Sequence, residues 1–332
     1  MKGNIALKVA AFVVVGAAFF WMLTRLDWKE FGNRILGASP VDLGLMLLFW
    51  MLALLLRPIR FRFLLNVLSQ VRRADYRTVW AALLLGNTVN SFMPLRVGDV
   101  VLALFLRQRL GIGIHETAMV IIADWACDFL CVAAIFLGAL AFAPVTATWT
   151  SHAIVILAVA FIAGGAGVLV VIRCRARALW ILDLILSRLA PKWQTRAYQI
   201  AKETLDGMAA IATWRVALPL ILLSVLIWSV IGLSYWFGLR AVFPDSSPVA
   251  ALFSMAAVTL SFVVPLGPGG MGAFEAAAIG ALSLFRVPIE AALAFAILAH
   301  SFQLLVILLF TVMAVFLQRI DYRSLWAAAK KD

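Results

Sequence analysis

Several stretches of this chain stay apolar for more than about 18 residues, the length at which a helix can cross a lipid bilayer. Of its 332 residues, 65% are hydrophobic and only 13% are charged, whereas soluble globular proteins are about half apolar and about a quarter charged. We therefore predict an all-α polytopic membrane protein with a single membrane domain, residues 1–332. The predicted full spans are 5–23, 41–56, 117–142, 153–172, 216–239 and 291–317.

The basic residues lie mostly between the predicted spans. The net charge is +12, and the segments 57–77, 107–116, 173–215 and 318–332 hold 6, 2, 8 and 4 Lys and Arg residues. The positive-inside rule places these segments and both termini in the cytoplasm. Because membrane orientation accounts for the charge, no nucleic-acid partner is expected. The segment 173–215 is a basic amphipathic connection, within which residues 176–190 are predicted to lie on anionic lipid.

Two stretches break the apolar pattern with proline, glycine and charge. They read "NSFMPLRVGD" at 90–99 and "SFVVPLGPGGMGAFE" at 261–275. The apolar segments beside each break are too short to cross a bilayer core of about 30 Å. Broken backbone at membrane depth is tolerated only where it is buried in protein or lines a cavity. We therefore predict two re-entrant helical hairpins, formed by 78–93 with 97–106 and by 249–264 with 273–285.

The order of these elements occurs twice. Residues 1–142 and 153–317 each give span, span, hairpin and span, in opposite orientations. Both predicted hairpin tips carry Ser-Phe followed by Pro-Leu. Inverted-topology repeats with discontinuous helices are typical of alternating-access carriers, whose binding site lies near the midplane between the repeats. This pattern predicts a substrate site at the hairpin tips.

Charged and glycine residues at the tips are the first site candidates. Arg96 and Asp99 lie at the first tip, and Glu275 holds the matching place in the second. The carboxylates either cap their half-helices, with Arg96 neutralising one of them, or help to hold a head group or a proton. Gly269 and Gly270 form either a tight turn or a backbone that can approach a phosphate closely.

Asp124 and Asp128 lie one helical turn apart in the third predicted span and face the same way. Two such carboxylates repel each other unless one is protonated or a cation lies near. Arg96 is the expected cation. The pair is either a structural salt bridge that locks the hairpin to the span, or a binding or proton-relay pair.

Three uncharged or weakly basic residues complete the candidate site. Asn87 and Asn90 precede the first break, where they can satisfy freed backbone groups or contact a substrate. His300 lies near mid-depth in the last span, either as a hydrogen-bonded packing residue or as a substrate ligand. The cysteines and histidines show no metal-binding spacing, so neither a metal nor a cofactor is expected.

The whole pattern resembles the transmembrane region of lysylphosphatidylglycerol synthases, a flippase-like family with stand-alone members. The resemblance covers about 5–318 and rests on "NSFMPLRVGD", "DWACD" and "PLGPGGMGAFE", in this order. The family more often has Glu where Asp99 stands and Arg where Leu102 and Trp125 stand, which leaves the head group open. The resemblance implies polar motif positions at Asn90, Pro94, Arg96, Gly98, Asp99, Asp124, Asp128, Pro265, Gly269, Gly270, Gly272 and Glu275.

The resemblance also implies a function. It predicts a lipid translocase that moves a polar or isoprenoid-linked lipid between the leaflets of a bacterial inner membrane. About 15 residues follow the last predicted span, so we expect no synthase domain and no enzymatic activity. Expected partners are anionic or phosphate-bearing membrane lipids and a separate lipid-modifying enzyme. Two alternatives stay open, an integral-membrane enzyme acting on a lipid phosphate and a small-solute secondary transporter.

Overall fold

A computed structural model describes residues 26–69, 74–93, 96–142, 174, 177, 179–180, 183–184, 191–262 and 270–318. Within these ranges all regular secondary structure is helical, with ten helices and no strand. In chain order they are α1 Trp28–Leu36, α2 Pro40–Leu68, α3 Tyr76–Phe92, α4 Val97–Leu110, α5 Ile114–Ala141, α6 Pro191–Ile211, α7 Trp214–Val242, α8 Pro248–Ser261, α9 Ala273–Ser283 and α10 Ile289–Gln318. The predicted spans 5–23 and 153–172 and most of 176–190 lie outside the described residues.

Four of these helices suit a membrane by length and composition. Helices α2, α5, α7 and α10 have 28 to 30 residues each and are strongly apolar. At a rise of about 1.5 Å per residue, each is longer than a bilayer core of about 30 Å. The ends of α5, α7 and α10 lie within three residues of the predicted spans. The polytopic, all-α prediction is confirmed to this extent.

The predicted end of the second span was wrong. Helix α2 does not stop at residue 56 but continues through Pro58 to Leu68. The arginines after residue 56 suggested a cytoplasmic loop, yet Arg60 is fully buried in the helix. Its charge is neutralised by carboxylates of α5, so the helix can carry it at depth. Three of the six basic residues counted in segment 57–77 therefore belong to α2, so they do not mark a cytoplasmic loop.

Two pairs of short helices occupy the places predicted for the hairpins. Helix α3 packs against α4, and α8 packs against α9; we call these pairs the first and second hairpin. With 11 to 17 residues per helix, they reach about 16 to 26 Å. The first hairpin is closed tightly, because the backbone N–H of Gly98 donates to the side chain of Asn90 at 2.7 Å. A Cβ atom at Gly98 would lie only 1.9 Å from the carbonyl oxygen of Gly86.

The contacts between helices come in matched pairs. If α2 to α5 are set against α7 to α10, each contact in one set has a counterpart in the other. Thus α2 contacts α3 and α5, while α7 contacts α8 and α10. The hairpins also cross over, since α3 packs on α10 and α8 packs on α5. Helices α2 and α7 contact each other at the centre of this arrangement.

Aromatic pairs mark the two crossover contacts. Trp80 of α3 lies 5.9 Å from Phe310 of α10, measured between ring centroids. Phe253 of α8 lies 4.7 Å from Phe136 of α5. Phe253 follows Trp80 by 173 residues, and Phe310 follows Phe136 by 174. The crossover contacts therefore use equivalent positions of the two sets.

The orientation predicted from the basic residues can be tested at two exposed side chains. Lys202 lies on α6, which packs beside the end of α2, and Asp245 lies between α7 and α8 at the opposite end. We expect Lys202→Cys to react only with a membrane-permeant thiol reagent in intact cells, and Asp245→Cys to react with an impermeant one as well. The background is a chain in which Cys127, Cys131 and Cys174 are replaced by serine. The reverse labelling pattern contradicts the predicted orientation.

Candidate functional site

A cavity of about 680 Å³ lies between the tips of the two hairpins. Helices α2, α3, α4, α5, α7, α8 and α10 all contribute to its wall. Most of the predicted site residues meet here, namely Asn87, Asn90, Arg96, Asp99, Asp124, Asp128, Gly270 and His300. Glu275 is not in the wall, and Gly269 lies outside the described residues. The cavity thus collects chemistry from both sets of helices.

Arg96 presents a cation to this cavity. It precedes α4 in a left-handed backbone conformation, with φ of 54°. Its guanidinium carbon lies 4.2 Å from the centroid of the Trp125 ring on α5. No residue of the described part of the chain forms a hydrogen bond or ion pair with this side chain. A guanidinium stacked on an aromatic face keeps its N–H groups available for an anion.

Asp99 and two asparagines supply the neutral and negative groups beside Arg96. The Asn90 side chain donates to Asp99 Oδ1 at 3.1 Å while its own oxygen accepts from Gly98. Asn90 therefore satisfies a backbone group freed by the break. The other oxygen, Asp99 Oδ2, is buried without a hydrogen-bond partner among the described residues. The side-chain amide of Asn87 has no partner in that part of the chain either.

Glu275 has a different environment, although it too is the third residue of its half-helix. Its Oε2 accepts from the backbone N–H of Gly272 at 2.7 Å, so the side chain caps the first turn of its own helix. Its Oε1 lies 2.7 Å from Nδ1 of His300, and the His300 ring stacks on Phe274 at 4.5 Å. These contacts fasten α9 to α10. The capping interpretation therefore describes Glu275, whereas Asp99 lines the cavity.

The cation beside Asp124 and Asp128 is not Arg96, as the sequence analysis expected, but Arg60. Its Nε donates to Asp124 Oδ1 at 2.8 Å, and its Nη2 donates to Asp128 Oδ1 at 2.7 Å. Arg57 adds a second contact, from Nη2 to Asp128 Oδ2 at 3.2 Å. The reason is the continuation of α2 past residue 56, which puts both arginines against α5.

Helix α7 completes this charged cluster. Ser224 accepts from Arg60 Nη1 at 3.0 Å, and the Trp228 indole donates to Asp128 Oδ1 at 2.9 Å. Two arginines, two aspartates and two neutral partners thereby join α2, α5 and α7. Sequence reasoning missed Arg57, Arg60, Ser224 and Trp228. The usable signal was the spacing of two arginines one turn apart in an apolar run, since charges at membrane depth usually have partners.

The rim of the cavity is apolar and exposed. Met93, Trp125, Phe129 and Phe262 all line it, with exposed fractions of 54%, 41%, 51% and 37%. They come from the first hairpin, from α5 and from the second hairpin. A polar interior beside an exposed apolar rim suits a ligand with a polar head and an apolar tail.

This chain is similar in sequence to known proteins. The family model described as "Lysylphosphatidylglycerol synthase TM region" matches residues 8–311. The chain is also similar to a protein from Haloferax volcanii named "Glycosyltransferase AglD", with 26% identity over 329 residues. That alignment covers 88% of this chain and 51% of the relative, so the chain spans about half of the relative's length.

One expectation is corrected by these comparisons. No enzymatic activity was expected from the sequence, but the matched relative is named as an enzyme. The expectation rested on the short tail after the last span. A similarity that runs over most of the chain to a protein named as a glycosyltransferase contradicts it.

Proposed function

This chain belongs to the family of the lysylphosphatidylglycerol synthase transmembrane region, and on that basis we propose that it moves a phosphate-bearing lipid between membrane leaflets. The observation that carries the proposal is the cavity between the hairpin tips. Its wall includes the exposed residue Arg96, which has no anionic partner among the described residues. Its rim is apolar and exposed. In the proposal, the phosphate enters the cavity while the acyl or isoprenoid chains stay in the bilayer.

The apolar rim favours a lipid over a small solute. A small-solute carrier needs a cavity closed to the bilayer, because exposed apolar side chains at its rim make no favourable contact with a polar solute. Phe129 and Met93 are each more than half exposed while lining the cavity. Their exposure gives lipid chains a route past the hairpin tips.

The matched contacts of α2 to α5 and α7 to α10 support alternating access. Two inverted repeats can exchange conformations, so that a cavity open to one side in one state opens to the other side in the next. In this structure, the two hairpin tips make different contacts with their neighbouring spans. At its tip, the second hairpin has a polar contact with its span, between Glu275 and His300, whereas the matching place in the first hairpin has the ring contact of Arg96 with Trp125. We propose that the first hairpin is the one that moves.

The proposal is tested by lipid movement in proteoliposomes. The probes are phospholipids labelled on an acyl chain, and the readout is reduction of the label by a reagent confined to the outer leaflet. We expect Arg96→Gln to slow movement by about tenfold or more, because one charge-assisted hydrogen bond to phosphate is worth about 1.5–3 kcal/mol. Glutamine keeps the length and polarity of the side chain but loses the charge.

Arg77→Gln is the matched control. Arg77 is an exposed arginine in the first turn of α3 and lies outside the cavity wall. It should move lipid at the wild-type rate. Wild-type vesicles that move no labelled lipid faster than protein-free vesicles, or Arg96→Gln at the wild-type rate, would sink the proposal.

The relative's name favours a second candidate, in which the same cavity serves glycosyl transfer involving a lipid phosphate. The polar interior would then hold the phosphate during the reaction. Incubating the vesicles with an isoprenoid phosphate and nucleotide sugars tests this candidate. A sugar added to the lipid, detected by mass spectrometry, supports it; unchanged lipid masses with intact movement favour translocation alone.

A further inference from the structure

Among the described residues, the two opposite charges at the start of α4 have no ion-pair partner. Arg96 precedes the helix and Asp99 is its third residue, yet no ion pair forms between them. Arg96 lies on the Trp125 ring instead, and one Asp99 oxygen is buried with no partner in the described residues. Arg96 is an exposed residue, so its guanidinium remains open to a ligand at the cavity wall. Neighbours that stay apart leave space for a ligand with complementary charges.

The remaining charges of the cavity wall are already balanced. Asp124 and Asp128 are neutralised by Arg60 and Arg57, and His300 contacts Glu275. Within the described residues, one cation and one anion are therefore left for a ligand. A head group with two or more negative charges would find only one available arginine. The nearby carboxylate of Asp99 would repel it. A head group that carries one charge of each sign would satisfy both.

We propose that the cavity selects a zwitterionic lipid head group, with its phosphate on Arg96 and its ammonium on Asp99. This inference rests on the proposed function and names its substrate class. The ammonium would meet the negative charge of the Asp99 carboxylate, because Asp99 lines the cavity wall and hydrogen bonds to charged groups are stronger than those between neutral groups. The Asn87 amide, which also lines the cavity, offers a further donor or acceptor to the phosphate or the ester.

The test compares three acyl-labelled lipids that share a phosphate. Phosphoethanolamine has an ammonium with N–H donors, phosphocholine has the same charge without N–H donors, and phosphoglycerol has hydroxyls and no cation. In wild-type proteoliposomes we expect the phosphoethanolamine lipid to move about tenfold faster than the phosphoglycerol lipid, the effect of one charge-assisted contact. The phosphocholine lipid should fall between them. Asp99→Asn should bring the first ratio close to one.

Asp245→Asn is the control, because Asp245 is an exposed carboxylate outside the cavity wall. It should keep the wild-type ratio. A wild-type preference for phosphoglycerol, or a ratio that Asp99→Asn leaves unchanged, overturns the inference.

A binding measurement separates this inference from translocation. Native mass spectrometry of the full chain in detergent gives the occupancy of the same three lipids without any movement. The same order of binding, together with no movement, would defeat the translocase proposal and keep the head-group inference; equal occupancy overturns the inference. Soluble phosphoethanolamine at millimolar concentration should not displace the bound lipid. Displacement would identify a water-soluble zwitterion as the ligand instead, and the lipid substrate would be wrong.

Discussion

Replacing Arg60 with methionine is expected to lower the free energy of unfolding by about 3–5 kcal/mol, because removing one partner of a buried ion pair leaves the other uncompensated. Arg60 is fully buried and contacts both Asp124 and Asp128. Without it, two carboxylates one turn apart share the single cation of Arg57. The measurement is the loss of folded protein in detergent with temperature and denaturant, followed by size-exclusion chromatography.

Two further variants isolate the charge from the volume of the side chain. Arg77→Met removes an exposed arginine and should have little effect. The double variant Arg60→Met with Asp124→Leu removes one cation and one anion and leaves the contact of Arg57 with Asp128. It should recover much of the lost stability, since apolar groups can replace a buried ion pair at little cost. An Arg60→Met protein as stable as Arg77→Met contradicts the view that this cluster is buried and coupled.

Gly98→Ala is expected to prevent the first hairpin from closing. The added Cβ atom would lie 1.9 Å from the carbonyl oxygen of Gly86 and 2.6 Å from Asn90 Oδ1. Both are held in place, one by the helix backbone and the other by its bond to the Gly98 N–H. Overpacking of this kind commonly costs about 1–3 kcal/mol or more, and here it also displaces Asn90 and Asp99. We expect both reduced stability and loss of lipid movement.

Gly280→Ala provides the comparison for Gly98. It lies in α9, the equivalent half-helix of the second hairpin, and a Cβ atom there meets nothing within 4 Å. Alanine stabilises a helix interior relative to glycine by up to about 1 kcal/mol, so this variant should be at least as stable as wild type. If Gly98→Ala behaves like Gly280→Ala, the two helices do not cross as closely as described.

Much of the fold follows from local signals in the sequence. Hydropathy predicts α5, α7 and α10 closely because each is a long apolar run with polar ends. Proline and glycine clustered between short apolar runs predict the two hairpins, since such clusters usually interrupt helices. The end of α2 was misread because arginines in a sequence look the same whether solvent or a distant carboxylate neutralises them.

The sequence predicts which residues meet in the site, but not which of them contact each other. Asp99 and Glu275 hold the same position in their half-helices, and local reasoning treats them alike. Their difference comes from α5 and α10, where Trp125 and His300 face the respective tips. Likewise, the partner of Asp124 depends on contacts 64 residues away in the chain. Such choices are made by tertiary packing and have no local signature.

The crossover of the hairpins has a consequence for synthesis of the chain. The first hairpin packs on α10 through Trp80 and through Thr88, whose hydroxyl contacts that of Thr311 at 2.6 Å. About 200 residues separate α3 from α10, and at about 5–20 residues per second their translation takes on the order of tens of seconds. During that interval the hairpin lacks its docking partner. Its asparagines and its charged tip must be sheltered by the insertion machinery or remain at the surface, so assembly of the cavity waits for the last helix to leave the ribosome.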